Sequence, residues 1–202
     1  MKQELGAFIL SAGISRRFPM NKCLVKIEEK PLLQWSIDLV KSLPVAFRAL
    51  IVNPQWKSIK NSFDANGFEI LVNKDYSEGM SSSLRLCVQQ AVHRGLSAVL
   101  IFHGDMPFIS RASARAVLNE FSKSEEPVVS AFYNGVKGFP TLIDRTLFSR
   151  VMKLTQDHGL REIFLKDPSV LRKIEVDDPG VVFDVDTIAD LKQALEWGKR
   201  VW

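Results

Sequence analysis

The chain has 202 residues, of which 46% are hydrophobic, and its formal net charge is +4 at neutral pH. This length and apolar content predict a single domain over residues 1–202 with a sizeable core, and no apolar run approaches the roughly 20 residues of a membrane-spanning helix. Because the basic residues are scattered and no secretory signal pattern precedes them, we expect a cytoplasmic protein with neither a membrane nor a nucleic-acid partner. Cys23 and Cys87 are too few for a disulfide framework or a zinc site, which predicts reduced thiols.

The first predicted strand, at residues 7–10, ends in a loop of small and basic residues. Ala12 and Gly13 allow main-chain N–H groups to converge on an anion. Three basic side chains that can reach the same anion follow, namely Arg16, Arg17 and Lys22. The loop has neither a Walker A motif nor a dinucleotide-binding glycine pattern. The residues alone therefore leave two interpretations open, a polyphosphate-binding loop and an ordinary strand exit with solvated charges.

The order and spacing of these residues resemble the signature loop of the MobA-like NTP transferases, written LAAGxSxRMGxxK. The resemblance implies that the nucleotide is bound by Leu10, Ser11, Ala12, Gly13, Ser15, Arg17 and Lys22. It also implies catalytic roles for Arg17 and Lys22. Phe18 and Pro19 depart from the usual Met-Gly, and Pro19 has no N–H to donate to a phosphate.

Apolar and amphipathic segments alternate through the next part of the chain. A helix is predicted to open at Pro31 and to end before Pro44, and strands at residues 48–53 and 68–72 flank a polar helix near residues 55–66. This strand, helix, strand order predicts a parallel sheet with right-handed crossovers.

Glycine and serine residues precede the next amphipathic run, as is typical of a capped helix start. A helix start can also offer N–H groups and hydroxyls to a base edge or a phosphate. Residues 79–84 resemble the GMSSSL segment of the molybdenum cofactor cytidylyltransferase branch. The resemblance places four residues in the nucleotide pocket, namely Gly79, Ser81, Ser82 and Ser83.

The apolar run at residues 97–102 predicts a strand that ends in His103, Gly104 and Asp105. A carboxylate just past the carboxyl end of a parallel strand lies where such sheets bind ligands, although a turn aspartate is the plainer alternative. The segment resembles the GDMP motif of the family, which implies that Gly104 contacts the nucleotide. It also implies that Asp105 is a catalytic residue that holds Mg²⁺ on the α-phosphate. We interpret His103 as a packed residue rather than a general base.

A helix near residues 110–123 and a strand at residues 127–133 continue the alternation. The cytidylyltransferase branch usually has Gly-His-Pro where this chain has Gly138, Phe139 and Pro140, so Phe139 replaces a polar ring by an apolar one. Residues 156–161 stand where the family has GDxGAR. The resemblance implies acceptor-binding roles for Gly138, Phe139, Pro140, His158 and Arg161, with a surface position at a helix start as the alternative for His158.

Strands are predicted at residues 170–176 and 181–185, before a final helix that Thr187 caps. Asp184 and Asp186 alternate in sequence, so on a strand they would face the same side. The segment resembles the D-x-DTPEDL ending of the family, which implies that both can hold Mg²⁺ together with Asp105. Asp186 ranks above Asp184 because it belongs to the better-matched Asp-Thr step.

Five motifs in the family order, between about residues 6 and 195, carry the resemblance. It implies a single-domain, Rossmann-like three-layer α/β/α fold with a mostly parallel sheet, of the nucleotide-diphospho-sugar transferase type. The implied activity is Mg²⁺-dependent transfer of a nucleoside monophosphate from an NTP to a phosphorylated acceptor, with release of pyrophosphate. Ala12 and residues 79–84 favour CTP and molybdopterin. A relative acting on a sugar or polyol phosphate and a non-catalytic nucleotide-binding protein stay open.

Overall fold

The computed structural model describes residues 4–13, 18, 20–156 and 159–201. The strands, in chain order, are β1 (Leu5–Ser11), β2 (Lys26–Ile27), β3 (Lys30–Pro31), β4 (Phe47–Val52), β5 (Glu69–Val72), β6 (Ala98–His103), β7 (Val128–Tyr133), β8 (Val136–Asp144) and β9 (Leu171–Glu175). The helices are α1 (Leu32–Lys41), α2 (Trp56–Ile59), α3 (Met80–His93), α4 (Arg111–Phe121), α5 (Phe148–Val151), α6 (Arg161–Lys166) and α7 (Ile188–Val201). Within the described ranges, no helix combines the length and the apolar character needed to cross a membrane.

A seven-stranded sheet of order β5-β4-β1-β6-β8-β7-β9 forms the centre of the molecule, and β2 pairs with β3 in a separate small sheet. β8 runs antiparallel to its neighbours β6 and β7, while the other pairs of the large sheet are parallel. The predicted α/β fold with a mostly parallel sheet is therefore confirmed.

The direction in which successive strands are added to the sheet reverses at its centre. From β1 the chain adds β4 and β5 on one side, and β6 then pairs with the other side of β1. Leu10 and His103 are opposite each other in that pair, so β1 and β6 end at nearly the same level. Open α/β sheets bind ligands outside the carboxyl ends of strands at such a reversal.

Alternate residues of β1 point into two apolar layers, which explains why the strand is continuously hydrophobic. Ala7 and Ile9 face the layer that contains Leu33 of α1, and Phe8 faces the layer that contains Leu84 of α3. All five side chains are at most 1% exposed. Helices thus cover both faces of the sheet.

A third apolar cluster joins the small sheet to the C-terminal helix. Its buried members are Phe18, Val25, Ile27, Leu32, Val185 and Ala194. The cluster holds the segment between β9 and α7 against the body of the protein.

Two of the predicted elements are wrong in their extent or type. The polar helix expected near residues 55–66 is only α2 followed by one 3₁₀ turn, Lys60–Ser62. The strand expected at residues 181–185 is absent from the described sheet, because Pro179–Val182 forms a 3₁₀ turn. Asp178 caps that turn by accepting a hydrogen bond from the N–H of Gly180. The apolar pattern there reflects burial of Val181, which is 0% exposed.

Candidate active site

A cleft of about 950 Å³ opens at the carboxyl ends of β1 and β6. The predicted site residues that line it are Leu10, Ser11, Ala12, Gly13, Lys22, Gly79, Ser83, Gly104, Asp105, Gly138, Phe139, Asp184 and Asp186. Ser81, Ser82, Pro140 and Arg161 are not among its lining residues. Ser15, Arg16, Arg17, Pro19 and His158 lie outside the described residues.

Lys22 connects two of the predicted metal ligands. Its Nζ lies 2.7 Å from Oδ2 of Asp105 and 2.6 Å from Oδ1 of Asp186. Asp105 follows β6, whereas Asp186 comes from the segment before α7. The fold therefore brings carboxylates from distant parts of the chain to one cation.

Burial alone would lower the pKa of Lys22, but Asp105 and Asp186 outweigh it and raise that pKa above its ordinary value. The pKa of Asp184 is raised, first by burial and then by repulsion from Asp186 and Asp105. The three carboxylates are thus close enough to interact electrostatically. The ammonium of Lys22 compensates part of their negative charge.

Gly104 allows the end of β6 to pass close to β1. Its N–H donates to the carbonyl of Leu10 at 2.9 Å. A Cβ at this position would lie 2.9 Å from Oγ of Ser11 and 2.8 Å from Cδ1 of Leu33. A glycine is needed for close approach, and Asp105 projects from this contact into the cleft.

Asp186 is positioned by the start of α7. Its backbone N–H donates to Oδ2 of Asp190 at 3.0 Å, and the N–H of Asp190 donates to Oγ1 of Thr187 at 3.2 Å. The N–H of Thr187 also donates to Oδ2 of Asp190, at 2.7 Å, so Thr187 and Asp190 bond each other reciprocally as in a capping box, and the prediction that Thr187 caps the helix is confirmed. Asp184 and Asp186 do not alternate along a strand as predicted, because the segment between β9 and α7 has no sheet partner.

The carboxylates fit a divalent cation that prefers oxygen ligands. Within residues 4–13, 18, 20–156 and 159–201, no three His, Cys, Asp or Glu side chains form a complete metal site. However, Oδ1 of Asp105 is buried and accepts no hydrogen bond from the described residues. Mg²⁺ is commonly held by one or two carboxylates together with substrate phosphates and water. Asp105 and Asp186 are therefore suited to a metal whose shell a substrate completes.

Two asparagines that the sequence analysis did not select hold the loops around the cleft. Nδ2 of Asn53, just after β4, donates to the carbonyls of Ala12 at 3.3 Å and Gly13 at 3.5 Å. Nδ2 of Asn73, just after β5, donates to the hydroxyls of Ser82 and Ser83 at 2.8 and 3.0 Å. An asparagine directly after each apolar strand run is the sequence signal that would have identified them.

The three serines at the start of α3 have different roles. Oγ of Ser81 donates to the carbonyl of Thr155 at 3.1 Å, and Oγ of Ser82 donates to the carbonyl of Gly79 at 2.8 Å. These two hydroxyl protons are used within the protein. Ser83 lines the cleft and accepts from Asn73, so its hydroxyl proton remains available to a ligand.

His103, Phe139 and Lys137 also line the cleft. The rings of His103 and Phe139 are 4.1 Å apart between centroids, which agrees with the interpretation of His103 as a packed residue. Burial lowers the pKa of His103, and its Nδ1 is 4.0 Å from Oδ1 of Asp105, beyond hydrogen-bond distance. Lys137 also packs on the Phe139 ring, with its Nζ 4.5 Å from the ring centroid. Sequence reasoning missed Lys137, because one lysine beside a glycine carries no distinctive pattern.

A sequence profile of the MobA-like NTP transferase domain matches residues 7–170. The chain is 26% identical to a probable molybdenum cofactor guanylyltransferase of Natranaerobius thermophilus, covering 98% of each protein. It is 22% identical to Rv0371c of Mycobacterium tuberculosis H37Rv, whose crystal structure gives a TM-score of 0.87 and covers 97% of this chain and 99% of that one. The crystal structure of Rv0371c in complex with manganese gives a TM-score of 0.81 at 21% identity, covering 96% and 98% of the two chains. At these identities the two structures show a shared fold.

Proposed function

Because the chain belongs to the MobA-like NTP transferase family and is a nucleotidyltransferase, we propose that it joins a nucleoside monophosphate to a molybdopterin-type acceptor. The observation that carries this proposal is the convergence of Asp105 and Asp186 on Lys22, beside the Ala12–Gly13 turn. A cation between two carboxylates at a strand reversal is suited to handling phosphate charge.

In the proposed reaction a phosphate oxygen of the acceptor attacks the α-phosphorus of the NTP. The bond from that phosphorus to the bridging oxygen of pyrophosphate breaks, and pyrophosphate leaves with the electron pair. Such a transfer needs little covalent help from the protein, because positioning and charge neutralisation supply most of the rate increase.

Each side chain of the cleft has a distinct role in this proposal. The backbone at Gly13 and the ammonium of Lys22 bind the β- and γ-phosphates, and Arg17 adds positive charge to the same loop. Asp105 and Asp186 would hold Mg²⁺, which neutralises phosphate charge when bound. Asp184 adds negative charge beside them without touching Lys22 among the described contacts.

We propose GTP as the donor nucleotide. The support is the similarity over 98% of each chain to a protein named as a probable guanylyltransferase. The sequence-based preference for CTP depends on Ala12 and on the serines that begin α3. Ser81 and Ser82 donate to backbone carbonyls, and only Ser83 of these serines lines the cleft. Both observations weaken the preference for CTP. CTP remains the competing prediction.

Pyrophosphate release with each of the four NTPs, against molybdopterin, a sugar phosphate and a polyol phosphate, tests the proposal. We expect release with GTP and molybdopterin, and none with Asp105→Asn. Calorimetric titration of GTP and CTP measures the nucleotide preference independently of the acceptor. Tighter CTP binding would support the cytidylyltransferase prediction, turnover of a sugar or polyol phosphate alone would replace the acceptor, and nucleotide binding without release would indicate a non-catalytic protein.

A further inference from the structure

Lys137 is a partly buried cation that lines the cleft on the β8 side. It lies near the start of β8, and its Nζ donates to the carbonyl of Gly138 at 3.2 Å and to Oγ1 of Thr141 at 3.0 Å. The same nitrogen is 4.5 Å from the ring centroid of Phe139 and 5.5 Å from that of Phe164. An ammonium has three donors, so these two hydrogen bonds leave one donor available.

The charge of Lys137 is not balanced in the way that the charge of Lys22 is. Lys22 contacts two carboxylates, whereas no carboxylate among the described residues forms an ion pair with Lys137. Its oxygen partners are neutral, and burial lowers the pKa of Lys137 to about 8. Partial desolvation of a charge without a counter-ion is costly, and an anion that enters the cleft would relieve that cost.

Lys137 lies on the side of the cleft where an acceptor would have to bind. The loop at Gly13 and Lys22 occupies the β1 side, and the carboxylates of Asp105 and Asp186 lie after β6 and before α7. Lys137 lies on β8, beside the apolar face of Phe139. An anion held there and an NTP held by the β1 loop would meet at the carboxylates.

We propose that Nζ of Lys137 binds the phosphate monoester of the acceptor, beside Phe139, whose ring contacts the non-phosphate part of the same molecule. This inference rests on the proposed nucleotidyl transfer and adds a substrate-binding residue to it. The alternative is a structural lysine that serves only Gly138 and Thr141. A structural lysine would affect the stability of the fold and leave acceptor affinity unchanged.

Lys137→Met tests the inference because it removes the charge but keeps an unbranched chain over Phe139. Lys137→Arg keeps the charge, and Lys173→Met is the matched control. Lys173 also lies over an aromatic ring, with Nζ 5.4 Å from the centroid of Phe132, but it is exposed and does not line the cleft. Three quantities are measured for each variant: KM and kcat with molybdopterin at saturating GTP and Mg²⁺, GTP affinity by calorimetry, and inorganic phosphate binding by ³¹P NMR.

We expect Lys137→Met to raise the KM for molybdopterin about tenfold or more and to weaken phosphate binding similarly, since a hydrogen bond to a charged group is lost. GTP affinity should be unchanged, Lys137→Arg should recover most of the loss, and Lys173→Met should behave as the parent protein. An unchanged KM in a folded, active Lys137→Met protein would overturn the inference while leaving the proposed function intact. If the parent transfers nothing to molybdopterin, phosphate binding decides: loss in Lys137→Met supports the anion site although the acceptor is wrong, and equal or absent binding overturns it.

Discussion

The backbone N–H of Val185 donates a hydrogen bond of 3.0 Å to the backbone carbonyl of Asp105. The side chain of Val185 is 0% exposed and packs in the cluster with Ile27 and Leu32. Because this anchor lies between Asp184 and Asp186, it fixes both carboxylates beside the residue that ends β6. The acidic group is therefore assembled by backbone and core contacts rather than by a ligand.

Replacing the three aspartates one at a time should give graded losses of turnover. Asp105→Asn and Asp186→Asn should each lower kcat/KM by roughly a hundredfold or more, because each removes a carboxylate charge that contacts Lys22 and fits a metal. Asp184→Asn should cost about tenfold or less, because the described ion pairs of Lys22 are with Asp105 and Asp186 rather than with Asp184. Pyrophosphate release at saturating Mg²⁺ measures the series.

The exposed Asp177 supplies a matched control, since Asp177→Asn removes a carboxylate that does not line the cleft. All four proteins should unfold at similar temperatures because the substitutions are nearly isosteric. Full activity of Asp105→Asn would rule out the catalytic role of this cleft. A larger loss for Asp184→Asn than for Asp186→Asn would reverse the order of the two C-terminal carboxylates.

Lys22→Met should weaken NTP binding and also change how the nucleotide-free protein binds divalent cations. In the parent, Lys22 neutralises Asp105 and Asp186, so its removal should destabilise the metal-free protein by roughly 1–3 kcal/mol. The sequence predicts Lys22 to be a loop residue with phosphate contacts, and the two ion pairs add this structural effect. A divalent cation should restore the lost stability, because it can take the place of the ammonium between the carboxylates.

Manganese titration followed by electron paramagnetic resonance, with urea unfolding in chelator and in Mg²⁺, measures both effects. Lys30→Met is the control. Lys30 forms an ion pair with Asp38, with 2.8 Å between Nζ and Oδ2, and neither residue lines the cleft. We expect tighter Mn²⁺ binding in Lys22→Met than in the parent and no change in Lys30→Met. Equal Mn²⁺ affinity in parent and Lys22→Met would show that Lys22 and the metal do not share this position.

Alanine should have different effects at two glycines of the cleft, Gly13 and Gly138. A Cβ at Gly13 would meet none of the described atoms within 4 Å, whereas a Cβ at Gly138 would lie 2.1 Å from the carbonyl oxygen of Val181. Gly13→Ala should therefore change the free energy of unfolding by less than about 0.5 kcal/mol but weaken NTP binding, because a methyl group obstructs phosphate approach. Gly138→Ala should cost about 1–3 kcal/mol, because the backbone turn must move.

Thermal unfolding and GTP calorimetry separate the two effects. Unchanged GTP affinity in Gly13→Ala would remove this turn from the phosphate site. Unchanged stability in Gly138→Ala would show that the Pro179–Val182 turn adjusts freely, which its buried Val181 argues against.

Sequence patterns were sufficient to locate those residues of the cleft that directly follow an apolar strand. The apolar runs of β1 and β6 located two strand ends, and Gly104 and Asp105 followed directly from the second. Their meeting at one cleft follows from the parallel pairing that the alternating elements predicted. The fold class was thus accessible from residue order, whereas the ion pairs of Lys22 with Asp105 and Asp186 were not predicted, and the catalytic roles of these residues stay predictions.

Other features depend on contacts that no local pattern encodes. Val181 and Val185 form an apolar pattern like that of a strand. However, Asp178 caps the turn that contains Val181, and Val181 packs against Gly138, so this segment forms a turn instead. The serines of α3 resemble ligand-binding hydroxyls, yet Ser81 and Ser82 satisfy backbone carbonyls. Such assignments require the partner of each polar atom, which only the folded chain supplies.

The final prediction concerns the pH dependence of stability that Lys137 confers. Burial lowers the pKa of Lys137 from its ordinary value of 10.5 to about 8 in the folded protein. Between these two pH values the unfolded chain binds more protons at this residue than the folded chain does. The contribution of Lys137 to the free energy of unfolding should therefore rise with pH across that window, by at most about 1.4 kcal/mol per pH unit.

Lys137→Met removes this contribution, so the stability difference between variant and parent should change with pH even if lost hydrogen bonds add a constant offset. The free energy of unfolding of the variant minus that of the parent should be highest below pH 8 and should fall steadily as the pH approaches 10.5. His103, which contacts the same Phe139 ring as Lys137, does not contribute there, because its lowered pKa keeps it neutral throughout the window. Urea unfolding of both proteins at several pH values measures the difference, with Lys173→Met as the exposed control. A stability difference between variant and parent that stays constant from pH 8 to 10.5 would show that Lys137 is not a desolvated cation. It would also remove the electrostatic reason for an anion to bind there.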